Sequence, residues 1–304
     1  MGKLSELKTT ISEVEGTEDE TKPLFPGRAF ISTVLDALDS KETMTGKMTG
    51  RYIQRAMMAG ILVGVFFTAF WVIMGASSKG GPGLLLAGKV LAGTTFGWAL
   101  VLIYYTNSEL LTSNMMVVSV GAYHKRIGWL QSLKLLGLCL LGNLLGALIV
   151  AIILRFSTII SGVSYDVMLT AANAKLAYLN SWGGVGDLFV RAIFCNFCIN
   201  IAMLMVYNGK LSNDFTKCVI MVVAVLVFTF CGFEHSVADS AMFLILGMHG
   251  AINAWKAVLV IIVAILGNLV GGGILIGLNF ATMNDERGIT NGNEIDTATN
   301  TDKQ

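Results

Sequence analysis

The chain is predicted to be an all-α integral membrane protein, with six transmembrane helices in two inverted three-helix repeats and with spans 2 and 5 broken. Three observations predict it. Hydrophobic residues make up 54% of the chain and charged residues 13%, and the mean hydropathy of +0.69 lies outside the range of soluble domains. Six apolar runs, at about 53–76, 87–122, 130–155, 184–207, 215–249 and 253–283, are each long enough to cross a hydrocarbon layer that needs about 20 residues. The polar interruptions of those runs also recur at a fixed spacing. Glu109-Leu110-Leu111-Thr112 and Glu234-His235-Ser236-Val237 stand 125 positions apart, as do the asparagines of Gly142-Asn143-Leu144-Leu145-Gly146 and Gly267-Asn268-Leu269-Val270-Gly271. Such an offset is the signature of an internal repeat.

Residues 1–26 open on a polar, acidic stretch containing Glu13, Glu15, Glu18, Asp19 and Glu20, which reads as a disordered cytoplasmic tail rather than a signal peptide. Residues 27–50 place Phe30, Ile31, Val34, Leu35 and Leu38 on one helical face, the pattern of an amphipathic helix lying on the membrane or on the protein's own base. Residues 51–284 form the membrane domain, with repeats at about 51–155 and 184–283, and 285–304 form a second tail. The second and fifth runs exceed one plain crossing, so each reads as two half-helices joined by non-helical backbone. Such backbone is tolerated at membrane depth only where it lines a cavity or is buried in protein. Arg55-Ala56 and Arg191-Ala192 open comparable positions at an offset of 136 instead of 125. A longer first connector, Ala76 to Gly83 against Asn208 to Asp214, would supply the difference.

Three spans per repeat is an odd number, so the second repeat enters the bilayer from the opposite side. With the N-terminus cytoplasmic, that side receives Lys41, Lys47, Arg51, Arg55, Lys125, Arg126, Lys134, Lys210, Lys217 and Arg287, against mainly Lys79, Lys89, Arg155, Lys175 and Lys256 outside. The positive-inside rule therefore favours both termini cytoplasmic in a cell (plasma or inner) membrane. Arg191 is the exception, at the outer start of span 4. The net charge of +1 argues against nucleic acid as a partner. Cys195 and Cys198 lack a second ligand pair and read as buried thiols, and no metal or other cofactor is expected.

The residues Phe228-Thr229-Phe230-Cys231-Gly232-Phe233-Glu234-His235-Ser236-Val237-Ala238, with Glu109-Leu110-Leu111-Thr112-Ser113-Asn114, Asn196 and Gly267-Asn268-Leu269-Val270-Gly271-Gly272-Gly273, resemble the formate/nitrite transporter family. The resemblance runs from about Arg51 to Asn284. It implies an aquaporin-like fold, a homopentamer with one pathway per protomer, and a substrate among formate, nitrite, hydrosulfide, acetate and lactate. It also implies that His235 faces the middle of the pathway, with Thr112, Asn196 and Asn268 as the polar residues near it. Phe96, Leu100, Leu110, Ile199 and Phe228 match the family's two constrictions, and Lys175 matches a lysine of its outer vestibule.

From the residues themselves, an ionisable side chain inside a span is a functional candidate, and His235 is the first of them. Glu109 and Glu234 read as structural acceptors that stiffen the breaks by taking hydrogen bonds from exposed backbone N–H groups. Asp239 stands where many family members carry asparagine, four residues past His235. It could raise the histidine's proton affinity, hold it by hydrogen bond, or face the inner vestibule, where it would oppose anion entry.

Other classes fit less well. A standard water channel would carry two Asn-Pro-Ala caps, and the prolines here are Pro23, Pro26 and Pro82. An ammonium channel would want paired intramembrane histidines, and an enzyme would need a nucleophile–base pair or a metal cluster. The expectation is a channel or transporter that moves a small weak-acid anion such as formate, with lactate or acetate as further substrates, together with a proton as the neutral acid. A nitrite or hydrosulfide anion channel is the second reading.

Overall fold

The computed structural model describes residues 25–285. The tails expected at 1–26 and 285–304 lie outside the described residues, apart from Phe25, Pro26 and Asp285. The described residues fold as eleven α-helices, α1 (Arg28–Lys47), α2 (Thr49–Ser77), α3 (Pro82–Tyr105), α4 (Leu111–Tyr123), α5 (Trp129–Arg155), α6 (Gly162–Ala177), α7 (Trp182–Tyr207), α8 (Asp214–Cys231), α9 (Ser236–Gly247), α10 (Ala254–Asn268) and α11 (Asn279–Met283). A π-helical stretch, Leu269–Leu278, joins α10 to α11 without interrupting the span. Among the described residues six helical segments are long and apolar enough to cross a membrane. Strongly exposed aromatic residues cluster near their ends, with Trp129 and Phe215 at one face and Phe156, Trp182 and Trp255 at the other. Rings of this kind prefer the membrane–water interface.

The repeat is visible in hydrogen bonds. After α3 the chain ends in a Schellman turn, in which Ser108 N–H donates to Ile103 C=O at 3.0 Å and Asn107 N–H to Tyr104 C=O at 3.1 Å. After α8 the same pair of bonds recurs 125 positions later, Phe233 to Phe228 at 2.9 Å and Gly232 to Thr229 at 3.2 Å. Both turns need a left-handed residue, Asn107 (φ 52°) and Gly232 (φ 70°), which are the two residue types that tolerate it most readily. Each turn sends the chain back toward mid-depth, where Glu109 N–H meets Arg55 C=O at 3.2 Å and Glu234 N–H meets Arg191 C=O at 3.4 Å.

The expected breaks in spans 2 and 5 are present as non-helical backbone between α3 and α4 and between α8 and α9. The first helix of each pair, α3 (24 residues) and α8 (18 residues), is longer than a half-helix, so the break is a re-entrant loop before the short α4 and α9. The source of the 11-residue contraction is corrected. The first connector, residues 78–81, is shorter than its counterpart at 208–213. With Arg55 aligned on Arg191 and Glu109 on Glu234, α2 instead ends six residues later and α3 begins seven residues earlier than their mates.

Two asparagines hold the breaks. Asn143 Oδ1 accepts from Leu111 N–H at 3.0 Å, and its Nδ2 donates to the carbonyls of Ala56 and Glu109, both at 2.8 Å. Asn268 Oδ1 accepts from Ser236 N–H at 3.1 Å, and its Nδ2 donates to Ala192 C=O at 2.8 Å and Glu234 C=O at 3.0 Å. Each amide thus caps one short helix and ties its break to the preceding span, with no water needed. The flanking glycines let the spans come close enough for this. A Cβ on Gly146 would lie 2.0 Å from Met57 O, and one on Gly271 would lie 2.0 Å from Ile193 O.

Asn143→Leu and Asn268→Leu are therefore each expected to lower stability by about 2 kcal/mol or more, since three bonds are lost and buried backbone groups are left unpaired. Thermal unfolding in detergent measures this. Gly146→Val is expected to be worse, because the clash is with backbone that cannot move unless α2 and α5 separate, and a sharp loss of folded protein on size-exclusion would report it.

Candidate functional site

Between the repeats the structure encloses three spaces in line. At the α1 face a cavity of about 520 Å³ reaches in to Leu100 and Leu110, bordered by Lys41, Arg55, Glu109 and Tyr104. At the α6 face a cavity of about 690 Å³ reaches in to Phe96, Phe228 and His235, bordered by Lys175, Arg191, Glu234 and Asp239. Between them lies a chamber of about 20 Å³, room for about one water. Its walls hold all five expected constriction residues, Phe96, Leu100, Leu110, Ile199 and Phe228, with His235 as the ionisable group among them. The rings follow one another in contact, Phe67 to Phe96 tilted at 5.0 Å, Phe96 to Phe228 edge-to-face at 6.2 Å and Phe228 stacked on His235 at 5.9 Å between centroids.

His235 is the N-cap of α9, and its Nδ1 accepts from Ala238 N–H at 3.0 Å. An acceptor nitrogen carries no proton, so in the neutral ring the proton sits on Nε2. Nε2 lies 3.2 Å from Thr112 Oγ1 on the opposite break, to which it donates. The ring is thereby oriented by one repeat and presented to the other.

Of the polar residues expected near the histidine, Thr112 touches it, whereas Asn196 and Asn268 work one step away. Asn196 Nδ2 donates to Thr112 C=O at 3.1 Å and to Asn268 C=O at 2.7 Å, tying the two breaks together. Asn200, which sequence reasoning missed, donates to the same Thr112 carbonyl at 3.1 Å and to Asn196 Oδ1 at 2.7 Å. Its signal was its place one helical turn past Asn196 on a buried face.

The glutamates also differ in detail from expectation. The backbone N–H groups go to the asparagines, and the glutamate side chains pair with lysines. Lys41 Nζ of α1 lies 2.5 Å from Glu109 Oε2, and Lys175 of α6 pairs with Glu234. Sequence reasoning missed Lys41 in this role, and Lys175, expected at an outer vestibule, stands in the helix α6 and reaches the break. Both stand in helices that precede a repeat, so the repeat unit is longer than three spans. Lys175 also lies 3.1 Å from Asp239 Oδ1, which places Asp239 toward the α6-face cavity and not the α1 face. Burial works against the Lys175 charge, but the acidic side chains of Asp239 and Glu234 outweigh it and hold the ammonium above the ordinary lysine range. Arg191, awkward from sequence, donates from Nη1 to Gly232 C=O at 3.1 Å and pairs through Nε with Asp187 at 2.9 Å. It braces the second break from the α6 face.

Comparison with known proteins places this geometry. The formate channel FocA of Haemophilus influenzae is 27% identical over 270 residues, covering 81% of this chain and 92% of that protein. The formate-nitrite transporter of Plasmodium falciparum is 26% identical over 246 residues, 74% of this chain and 75% of its own. Among solved structures, an FNT family ion channel superposes with a TM-score of 0.70 at 22% identity, covering 83% of this chain and 97% of that one. A pentameric formate channel with formate bound gives 0.62 at 21% identity, covering 77% and 96%. The family model for formate/nitrite transporters matches residues 29–282, nearly all of the described structure, and the chain belongs to that family.

Proposed function

We propose that this chain, a membrane transport protein of the formate/nitrite family and not an enzyme, moves a small weak-acid anion together with a proton as the neutral acid. Formate is the first substrate, with lactate or acetate as further ones. The observation that carries the reading is the narrow, apolar-walled chamber of about 20 Å³ between two larger cavities bordered by charged side chains. A naked carboxylate entering such a space faces an idealised desolvation cost of order 20 kcal/mol, and still several after relaxation. Capturing a proton at pH 7 costs a carboxylic acid of pKa near 4 roughly 4 kcal/mol. The neutral acid then passes the apolar walls with little further penalty.

In this mechanism the anion enters a cavity, gains its proton there, and crosses as the acid past the His235–Thr112 pair. Loading a second proton on His235 would break the bond from Ala238 N–H, so the histidine acts as a neutral donor from Nε2. This favours water or a neighbouring acid as the source of the proton over the imidazole itself. The chain works in a cell membrane with both termini cytoplasmic, so that the α6 face is external, and assembles as a homopentamer. A nitrite or hydrosulfide anion channel is the second reading, and of the two only nitrite stands in the family's description.

Protein in liposomes loaded with a pH-sensitive dye, given inward gradients of formate, lactate or nitrite, tests the proposal. Internal acidification above that of empty liposomes is expected for formate or lactate, and entry that builds a membrane potential without acidification would overturn it. His235→Asn is expected to fold, since asparagine is also a good N-cap, yet to slow acid flux about tenfold through loss of the Nε2 contact. Leu110→Ala, which takes three carbon atoms from the constriction, is expected to raise the lactate-to-formate rate ratio by at least roughly tenfold, the lower end of what a single methylene is worth in an apolar pocket.

A further inference from the structure

The residues five positions past the two glutamates, Asn114 and Asp239, occupy matching places in the repeats. In the first repeat Asn114 Nδ2 donates to Glu109 Oε2 at 2.9 Å, the same oxygen that Lys41 reaches. In the second repeat Asp239 stands at the matching lysine–glutamate pair and shares its cation, since Lys175 pairs with Glu234 and also reaches Asp239. Its Oδ1 meets Lys175 at 3.1 Å, and its Oδ2 is buried with no donor. An amide brings a hydrogen to this contact and a carboxylate brings none.

Charge points the same way as symmetry. Lys41 and Glu109 form a neutral pair, whereas Lys175 faces two carboxyls. All three groups of the second cluster are largely withdrawn from water, with side-chain exposures of 16%, 3% and 3% for Lys175, Glu234 and Asp239. Burying a second, uncompensated carboxylate is costly, and two carboxyls sharing one site hold a proton between them. Lys175 from α6, Glu234 from the break and Cys195 from α7 interact with Asp239, and Lys89, Asp166, Tyr178, Arg191 and His235 line the same cavity.

We propose that Glu234 and Asp239 share one proton, carried as an Asp239 O–H donated to Glu234, and that this pair is the proton station of the α6-face cavity. The inference rests on the acid-transport reading above and names the source of its proton. In the transfer step the Asp239 O–H bond breaks and an O–H bond forms on the substrate carboxylate, leaving the pair one charge more negative. Hydronium from the bulk on that face restores it, and Lys175 stays charged throughout. The α1 face, with an amide at Asn114, has no equivalent store, so the two faces differ in how they supply protons.

Infrared spectroscopy of the full chain in liposomes, paired with acid flux measured as the pH on the α6 face is stepped, tests this. The wild type is expected to show the C=O stretching band of a protonated carboxylic acid at pH 7, which Asp239→Asn removes. Asp239→Asn is expected to match the wild-type rate at acid pH and to fall about tenfold below it at alkaline pH, where direct capture from water limits. Asn114→Asp is expected to gain a second band and a titration step from the α1 face, a readout that survives if Asp239→Asn folds poorly. Identical wild-type and Asp239→Asn spectra, or superimposable pH profiles in the presence of acid flux, would overturn this inference alone. Anion flux without proton uptake would overturn the transport reading, and with it the coupling role of the pair.

Discussion

Everything in this fold depends on satisfying backbone polar groups at a depth where water is scarce. Two re-entrant loops interrupt the helices near mid-membrane, and each exposes N–H and C=O groups that would be costly to leave unpaired. One asparagine per repeat answers this by spending its acceptor on the start of the short helix and its two donors on the loop and the neighbouring span. That solution needs three helices to meet within hydrogen-bonding distance of one side chain. The meeting in turn needs glycine where the spans cross, as at Gly146 against Met57 and Gly271 against Ile193. The pathway is the space left between the two breaks once these contacts are made.

Symmetry supplies the frame, and departures from it supply the chemistry. Leu110 and His235 stand 125 positions apart at the N-caps of α4 and α9, so one break presents an apolar wall and the other a ring with a donor. Asn196 and Asn200 stand where the first repeat has Gly60 and Gly64. The second repeat therefore reaches across to the Thr112 carbonyl while the first packs closely and reaches nowhere. Asn114 against Asp239 is the third departure, and the one that changes charge. An inverted repeat gives a pathway with similar ends, and these three departures, four residue pairs in all, make its middle and its two faces unequal.

Electrostatics follows burial. A lone glutamate at a break would be an uncompensated charge in a poorly hydrated place, and each is answered by a lysine from a helix lying outside the six spans. The lysines thus do two jobs, neutralising the break and giving each cavity a cation at its floor. Because Lys175 is already engaged by two carboxyls, the field it offers to an entering anion depends on the protonation of its own partners.

Much of this was legible in the sequence. Composition and run lengths determined the six spans, and the two 125-residue offsets determined the inverted repeat, because hydropathy and repeat spacing are properties of the chain read in one dimension. The Gly-Asn-x-x-Gly motifs marked the capping asparagines, and His235 stood out as an ionisable group inside an apolar run. The tertiary structure alone decided what touches what. It showed that Lys41 and Lys175 are equivalent partners of the glutamates, that Asn268 caps a helix instead of meeting the histidine, and that the extra residues of the first repeat lie in α2 and α3. The contacts among these join residues far apart in the chain, 68 positions for Lys41 with Glu109, 59 for Lys175 with Glu234 and 32 for Asn268 with Ser236. Periodicity along a chain carries no record of such distances, which only the packing of one helix on another can set.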